Sequence, residues 1–239
     1  MGIGNGSGRA KNGARRYGAT LPRFNRFGVR LSTALVAFCL TFMASAIAQA
    51  APIKIMAFGD SLFAGYGLSS DSDNIPSQLE RLLKADGHDV KLINAAVSGD
   101  TTTDGLARLD WSLADKPDLI LLELGANDAL RGQDPEKTRA NLDQILARLK
   151  AAKIPVLLCG MIAPRNLGPD YDAKFDPIFA DLAKKYDVPL YPFILNGVAL
   201  NPALNQGDGM HPNKDGAAIV SKLLAPAVEK ALPTASPAN

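Results

Sequence analysis

Hydrophobic positions in this chain fall into two alternating patterns. Short apolar-rich runs occur at Ile53–Phe58, Val90–Asn94, Leu119–Leu122 and Ile154–Cys159, with a weaker one at Leu190–Ile194. Runs of this length, bounded by turn residues, read as strands buried on both faces of a parallel sheet. Between them, apolar residues recur at helical spacing. Ser77–Ala85 carries Leu79, Leu82 and Leu83, and Glu136–Ala151 sets Leu142, Ile145, Leu146 and Leu149 on one face with Lys and Arg opposite. Asp134-Pro135 predicts the start of that second helix, as N-cap and first-turn proline. Phe175–Tyr186 and Lys214–Leu232 predict two more helices. Repeated β-α units imply an α/β fold, a parallel sheet with helices on both faces and right-handed crossovers.

Two connections are longer than a crossover needs. Gly160–Tyr171 (GMIAPRNLGPDY) and Asn196–Met210 are rich in Gly, Pro and Asn and lack periodicity. Loops of this length in a compact domain are often functional. Both follow strands, so both are expected at the carboxyl edge of the sheet. Ligands of open α/β sheets bind at that edge. The first strand breaks there into Gly59-Asp60-Ser61, which makes Ser61 the first residue to ask about.

The opening fifty residues do not join this pattern. Met1–Arg30 is basic, Ala34–Ile47 is a mainly apolar run of fourteen, and Ala48-Gln49-Ala50 is a small-x-small cleavage signal. That order predicts a secretory signal peptide over residues 1–50, cleaved after about Ala50, and the run is short for a membrane span. An uncleaved N-terminal anchor is the alternative; Arg15-Arg16 leaves the export route open. The expected mature chain is one domain over residues 51–232 with a frayed tail, Pro233–Asn239, in the periplasm or outside the cell.

Cleavage changes the charge balance. The whole chain has 26 basic and 24 acidic residues, a net of +2; the first fifty hold seven of the basic and none of the acidic ones. What remains is 19 basic against 24 acidic residues, a net of −5, so nucleic-acid binding loses its electrostatic support. Of the two cysteines only Cys159 survives cleavage, so no intramolecular disulfide is expected, and its apolar run marks it as a buried strand residue. Two histidines and one cysteine cannot build the common metal sites, and no G-x-x-x-x-G-K phosphate loop is present; neither metal nor cofactor is expected.

A serine nucleophile needs a base, and the chain offers only His88 and His211. His88 lies in a polar turn entering a strand, at the opposite edge of the sheet. His211 lies in Asp208-Gly209-Met210-His211-Pro212-Asn213, after the last strand; Asp208, three residues earlier, can reach the imidazole Nδ1 within one turn. Acyl transfer also needs donors for the developing oxyanion. Gly99, in the stretch after the second strand, has no side chain to block its N–H, and Asn127, after the third strand, carries a side-chain amide. Asp60 and Asp128 are read as structural carboxylates that bond loop amides.

These blocks resemble the GDSL or SGNH hydrolases. The motifs that carry the resemblance are Gly59-Asp60-Ser61-Leu62, Gly99, Gly125-Ala126-Asn127-Asp128 and Asp208-Gly209-Met210-His211, spread over Ile53 to about Leu232. GDSLFAGYGL, SGDTT, ELGANDALRG, the run from Met161 to Tyr171 and DGMHPN look most like the secreted thioesterase I/lysophospholipase and arylesterase branch. The resemblance implies a flavodoxin-like three-layer α/β/α sandwich around about five parallel strands. It implies Ser61 as nucleophile, His211 as general base and acid, and Asp208 as its orienting carboxylate. The oxyanion hole it implies is the amides of Ser61 and Gly99 with the Asn127 side chain. The implied reaction is hydrolysis of carboxylic esters and thioesters of acyl or aryl groups through an acyl-enzyme; a monomer acting on a small-molecule substrate, with no nucleic-acid partner, is expected. Ser61 lacks the G-x-S-x-G frame of the α/β-hydrolase elbow. Met161, Pro164 and Leu167 are expected to line the substrate, and the apolar residues of both long loops (Ile162, Val198, Leu200 and Leu204 among them) suit an acyl chain. A carbohydrate O-deacetylase and a non-catalytic flavodoxin-like binding protein remain as alternatives.

Overall fold

The computed structural model describes residues 51–233, with Gly2 and Gly18. The signal-peptide reading and the tail beyond Pro233 lie outside the described residues. Five strands form one parallel sheet in the order β2-β1-β3-β4-β5. They are β1 (Ile53–Phe58), β2 (Val90–Asn94), β3 (Leu119–Glu123), β4 (Val156–Cys159) and β5 (Leu190–Tyr191). The three-layer flavodoxin-like expectation holds. The central strands are nearly solid hydrocarbon: Ile55–Phe58, Leu119–Leu122 and Leu157–Cys159 are buried. Edge strand β5 is only two residues long and half-buried, which explains its weak apolar signal.

The helices are α1 (Ser61–Ala64), α2 (Ile75–Ala85), α3 (Thr102–Ser112), α4 (Ala126–Leu130), α5 (Pro135–Ala151), α6 (Pro169–Phe175), α7 (Pro177–Tyr186) and α8 (Lys214–Ala231). Helices α2 and α8 pack together on one face of the sheet; α5 packs beside both α3 and α7 on the other. Asp134 caps α5 as expected, accepting the Glu136 N–H.

The expected helix over Phe175–Tyr186 is in fact two. Pro177 lacks an N–H and its ring crowds the preceding turn, so α6 ends at Phe175 and α7 restarts with the proline in its first turn. The edge contact of Phe175 with Phe179 bridges the break, and Tyr171 stacks on Phe175 within α6.

Strand order turns about β1: β2 lies on one side, and β3, β4 and β5 on the other. Ser61 follows β1 and Asn127 follows β3, so the two flank the point where a doubly wound sheet opens its binding crevice.

Candidate active site

The site is built on the turns that leave β1, β2 and β3, and on the loop between β5 and α8. Asp60 caps α1: its Oδ1 accepts the Leu62 N–H at 3.1 Å. Ser61 is therefore the first residue of a helix, where N–H groups have no intrahelical partner. Gly99 stands in the left-handed region at φ 89°, a conformation that favours glycine and turns the chain over the end of β2. Among the described residues neither the Ser61 nor the Gly99 N–H enters a hydrogen bond. Two backbone donors are thus left over, one on the serine itself and one in the turn after β2.

His211 arrives on the loop before α8. Its Nε2 stands 2.9 Å from Ser61 Oγ, and its Nδ1 stands 2.6 Å from Asp208 Oδ2. The other Asp208 oxygen accepts the N–H groups of Met210 and His211 at 2.9 and 3.0 Å. Met210 and His211 thus fold around one carboxylate. The His211 N–H and ring, with the Met210 N–H, hold the Asp208 pKa down to about 2. The loop is tied to the serine side by Gln206. Its Nε2 donates to Tyr66 O at 2.7 Å, and its N–H donates to His211 O at 2.8 Å. The Tyr66 ring covers the imidazole with centroids 4.8 Å apart.

Asn127 is also brought to this edge, but its amide is already in use. Nδ2 donates to Asp60 Oδ2 at 3.1 Å and to Asp100 O at 3.0 Å. As a third oxyanion donor it has to give up one of these bonds. A charged oxyanion is a stronger acceptor than the neutral Asp100 carbonyl, so that bond is the one to yield. Asp60 and Asp128 act as scaffold, as their sequence positions suggested. Asp128 is buried and accepts from the Thr102 N–H at 2.8 Å and from the Thr138 hydroxyl at 3.2 Å. Burial pushes the Asp60 pKa up to about 6, against the opposing pull of the Leu62 N–H and Asn127. Glu123, the last residue of β3, is buried beneath Asp60; burial, with the Asp60 charge behind it, raises its pKa well above the carboxylate range.

The model of the GDSL-like lipase/acylhydrolase family matches residues 57–219. The chain belongs to the GDSL-like lipase/acylhydrolase family. This GDSL chain is 41% identical over 187 residues to the thioesterase 1/protease 1/lysophospholipase L1 of Escherichia coli K12, covering 78% of this chain and 86% of that relative. It is 38% identical over 205 residues to an arylesterase of Vibrio mimicus, covering 85% of this chain and all of the relative. The crystal structure of AlinE4, an SGNH-hydrolase family esterase, matches it with a TM-score of 0.64 at 48% identity, covering 77% of this chain and 98% of AlinE4.

Two expectations for the GDSL chain need correcting. Met161 is buried at 4% exposure within the core, and Val198, in the turns that follow β5, is fully buried. The large hydrophobic residue that the first long loop offers to solvent is Ile162, at 41% exposure. Pro164 and Leu167 are half-buried. His88 lies in the turn before β2, at the strands' amino edge, with Nε2 3.8 Å from Glu229 Oε1. Cys159 is buried in β4 and its thiol pKa is pushed well up by burial. Among the described residues no group of His, Cys, Asp and Glu is arranged to hold a metal ion.

Tyr66, Glu123 and Arg108 escaped the sequence reading. Tyr66 sits five residues after the serine, inside the motif already noticed, and its spacing was the available signal.

Proposed function

We propose that this protein is a secreted serine esterase that hydrolyses carboxylic esters, and thioesters, of acyl or aryl groups through an acyl-enzyme. The observation that carries this reading is the continuous chain from Ser61 Oγ to His211 Nε2 at 2.9 Å and from His211 Nδ1 to Asp208 at 2.6 Å. The serine oxygen attacks the substrate carbonyl while His211 takes its proton at Nε2. Asp208 holds the proton on Nδ1 and stabilises the imidazolium. The N–H groups of Ser61 and Gly99 bond the tetrahedral oxyanion, and Asn127 joins them by releasing one partner. His211 then gives its proton to the leaving alcohol or thiol. Water, activated by the same imidazole, releases the acid and restores Ser61.

The rim favours apolar substrates. Among the described residues the exposed large hydrophobics include Tyr66, Val97, Leu130, Ile162 and Met210, which lie in the segments after β1, β2, β3 and β4 and in the histidine loop. Such a rim suits an acyl or aryl group better than a sugar, and so speaks against the O-deacetylase reading. The basic, apolar and small-x-small order of residues 1–50 supports export, and among the described residues no helix is long and apolar enough to cross a membrane.

Hydrolysis of p-nitrophenyl esters from acetate to palmitate, beside acyl-CoA thioesters, tests the substrate reading. Rising kcat/KM from acetate to a medium-chain acyl group is the expected outcome. Strict preference for acetate, together with release of acetate from an acetylated polysaccharide, would replace it with the O-deacetylase.

A further inference from the structure

The peptide unit between Gly59 and Asp60 is held at both ends by charged-type side chains from other elements. Its carbonyl accepts from Arg108 Nη2 of α3 at 3.0 Å and from the Val97 N–H at 3.1 Å. Its N–H donates to Glu123 Oε2 of β3 at 3.0 Å. We propose that Arg108 and Glu123 are positioning residues that clamp this peptide and thereby set the direction of the Ser61 N–H and hydroxyl.

The clamp rests on Ser61 being the nucleophile, and geometry gives it more than a structural meaning. A peptide is planar, so gripping its oxygen and its hydrogen leaves the next residue little freedom to tilt. The next dihedrals are those of Asp60, whose side chain is itself bonded to Leu62 and Asn127. The same guanidinium also reaches the second donor loop. Arg108 Nε donates to Asp100 Oδ2 at 2.6 Å, and Nη1 donates to Ala95 O at 2.6 Å. Asp100 directly follows Gly99. One rigid, planar fork therefore spans the turn that carries Ser61 and the turn that carries Gly99, and fixes the gap between their two free N–H groups. Its cation lies over the Phe58 ring, 4.1 Å from the centroid, at the very end of β1.

Glu123 completes the grip from below. Its carboxyl is fully buried, and among the described residues Oε1 finds no partner. A solvated surface role is therefore closed to it. Its cost is justified by the one bond that Oε2 makes, to the residue before the serine. A Cβ on Gly59 would overlap this carboxyl, so the glycine of the motif is the space in which the clamp sits. Burial favours the neutral form of the group, so an amide of the same shape is the conservative replacement.

The test compares kcat per active site, titrated with a phosphonate ester, with KM for a p-nitrophenyl ester. Arg108→Ala should lower kcat by about 10- to 100-fold through misplacement of the reacting groups, with KM within about twofold of wild type. Millimolar guanidinium should restore part of kcat, and Arg108→Lys should not, because an ammonium cannot span three acceptors. Glu123→Gln should keep most of kcat, because it keeps the acceptor for Asp60 N–H; Glu123→Leu should lose it. Unchanged kcat per titrated site in Arg108→Ala, or a loss only in the number of titratable sites, would overturn the clamp. If Arg108→Ala yields no folded protein, equal kcat per site in Glu123→Gln and Glu123→Leu overturns it instead. Ser61→Ala serves as the reference. Full activity in that variant would remove the nucleophile assignment itself, a result distinct from failure of the clamp.

Discussion

The site contains two aspartates that face opposite electrostatic worlds. Asp60 is buried in the serine turn, and burial lifts its pKa to about 6. Asp208 sits on a surface loop, and the N–H groups and imidazole folded around it hold its pKa near 2. The serine half is rigid because it is buried and cross-linked: Asp60, Asn127, Glu123 and Arg108 tie three strand-end turns together. The histidine half carries its charge outside the core, on a short loop satisfied by its own backbone, with Gln206 as its tether. The difference separates two tasks. Oxyanion donors need fixed positions, which packing supplies. A carboxylate that must stay charged beside an imidazolium needs hydrogen bonds and partial solvation instead.

That division can be broken from either side. The largest effect in this comparison is expected at Asp208. Asp208→Asn leaves the loop able to fold but removes the charge and favours the wrong imidazole tautomer, so kcat should fall by about 1,000- to 10,000-fold. Steady-state hydrolysis with a melting curve checks this; a loss below tenfold would make Asp208 a loop residue only. Next comes Asn127→Ala, where loss of one oxyanion donor lowers kcat by about 100- to 1,000-fold. Because Asn127 also joins Asp60 to Asp100, the melting temperature should fall too. A change confined to KM would mean that the amide meets only the ground-state substrate.

The smallest effects are in stability against pH, and here the two aspartates have opposite signs. The folded state binds the Asp60 proton more tightly than the unfolded chain, whose Asp titrates near 3.9. Its contribution therefore declines as pH rises from about 4 to about 6. Asp208 is depressed, so its contribution is full above about 4 and is lost as pH falls toward about 2. Melting temperatures across pH 2 to 7 should show Asp60→Asn flattening the upper slope and Asp208→Asn the lower. Exchanged slopes would contradict the electrostatic contrast.

How much of this was legible in the chain depended on whether a residue's role is local. β1 and β3 lie on their apolar runs, because a strand buried on both faces writes itself as a run. Helix α3 did not show in the periodicity: Thr102–Ser112 mixes polar residues with Gly105, which lies where a Cβ would overlap Leu124. Its start was nonetheless written as a Thr101/Asp104 capping box. Ser61, Gly99, Asn127, Asp208 and His211 were readable because each lies just beyond a strand end or in the final loop. Glu123 and Arg108 were not. A carboxylate ending an apolar run reads as the polar rim of a strand, and an arginine on a helix reads as solvated charge. Only the packing of β3 and α3 against the β1 turn turns them inward. The double use of the Asn127 amide is equally invisible in sequence, since both acceptors come from other segments.

The central claim is that Ser61 is a nucleophile activated by His211. The most direct measurement is labelling by a fluorophosphonate probe, with the modified residue located by peptide mass spectrometry. The account predicts one adduct, on Ser61, formed much more slowly in His211→Ala and absent in Ser61→Ala. An adduct on another residue, or ester hydrolysis that survives in Ser61→Ala, would contradict it.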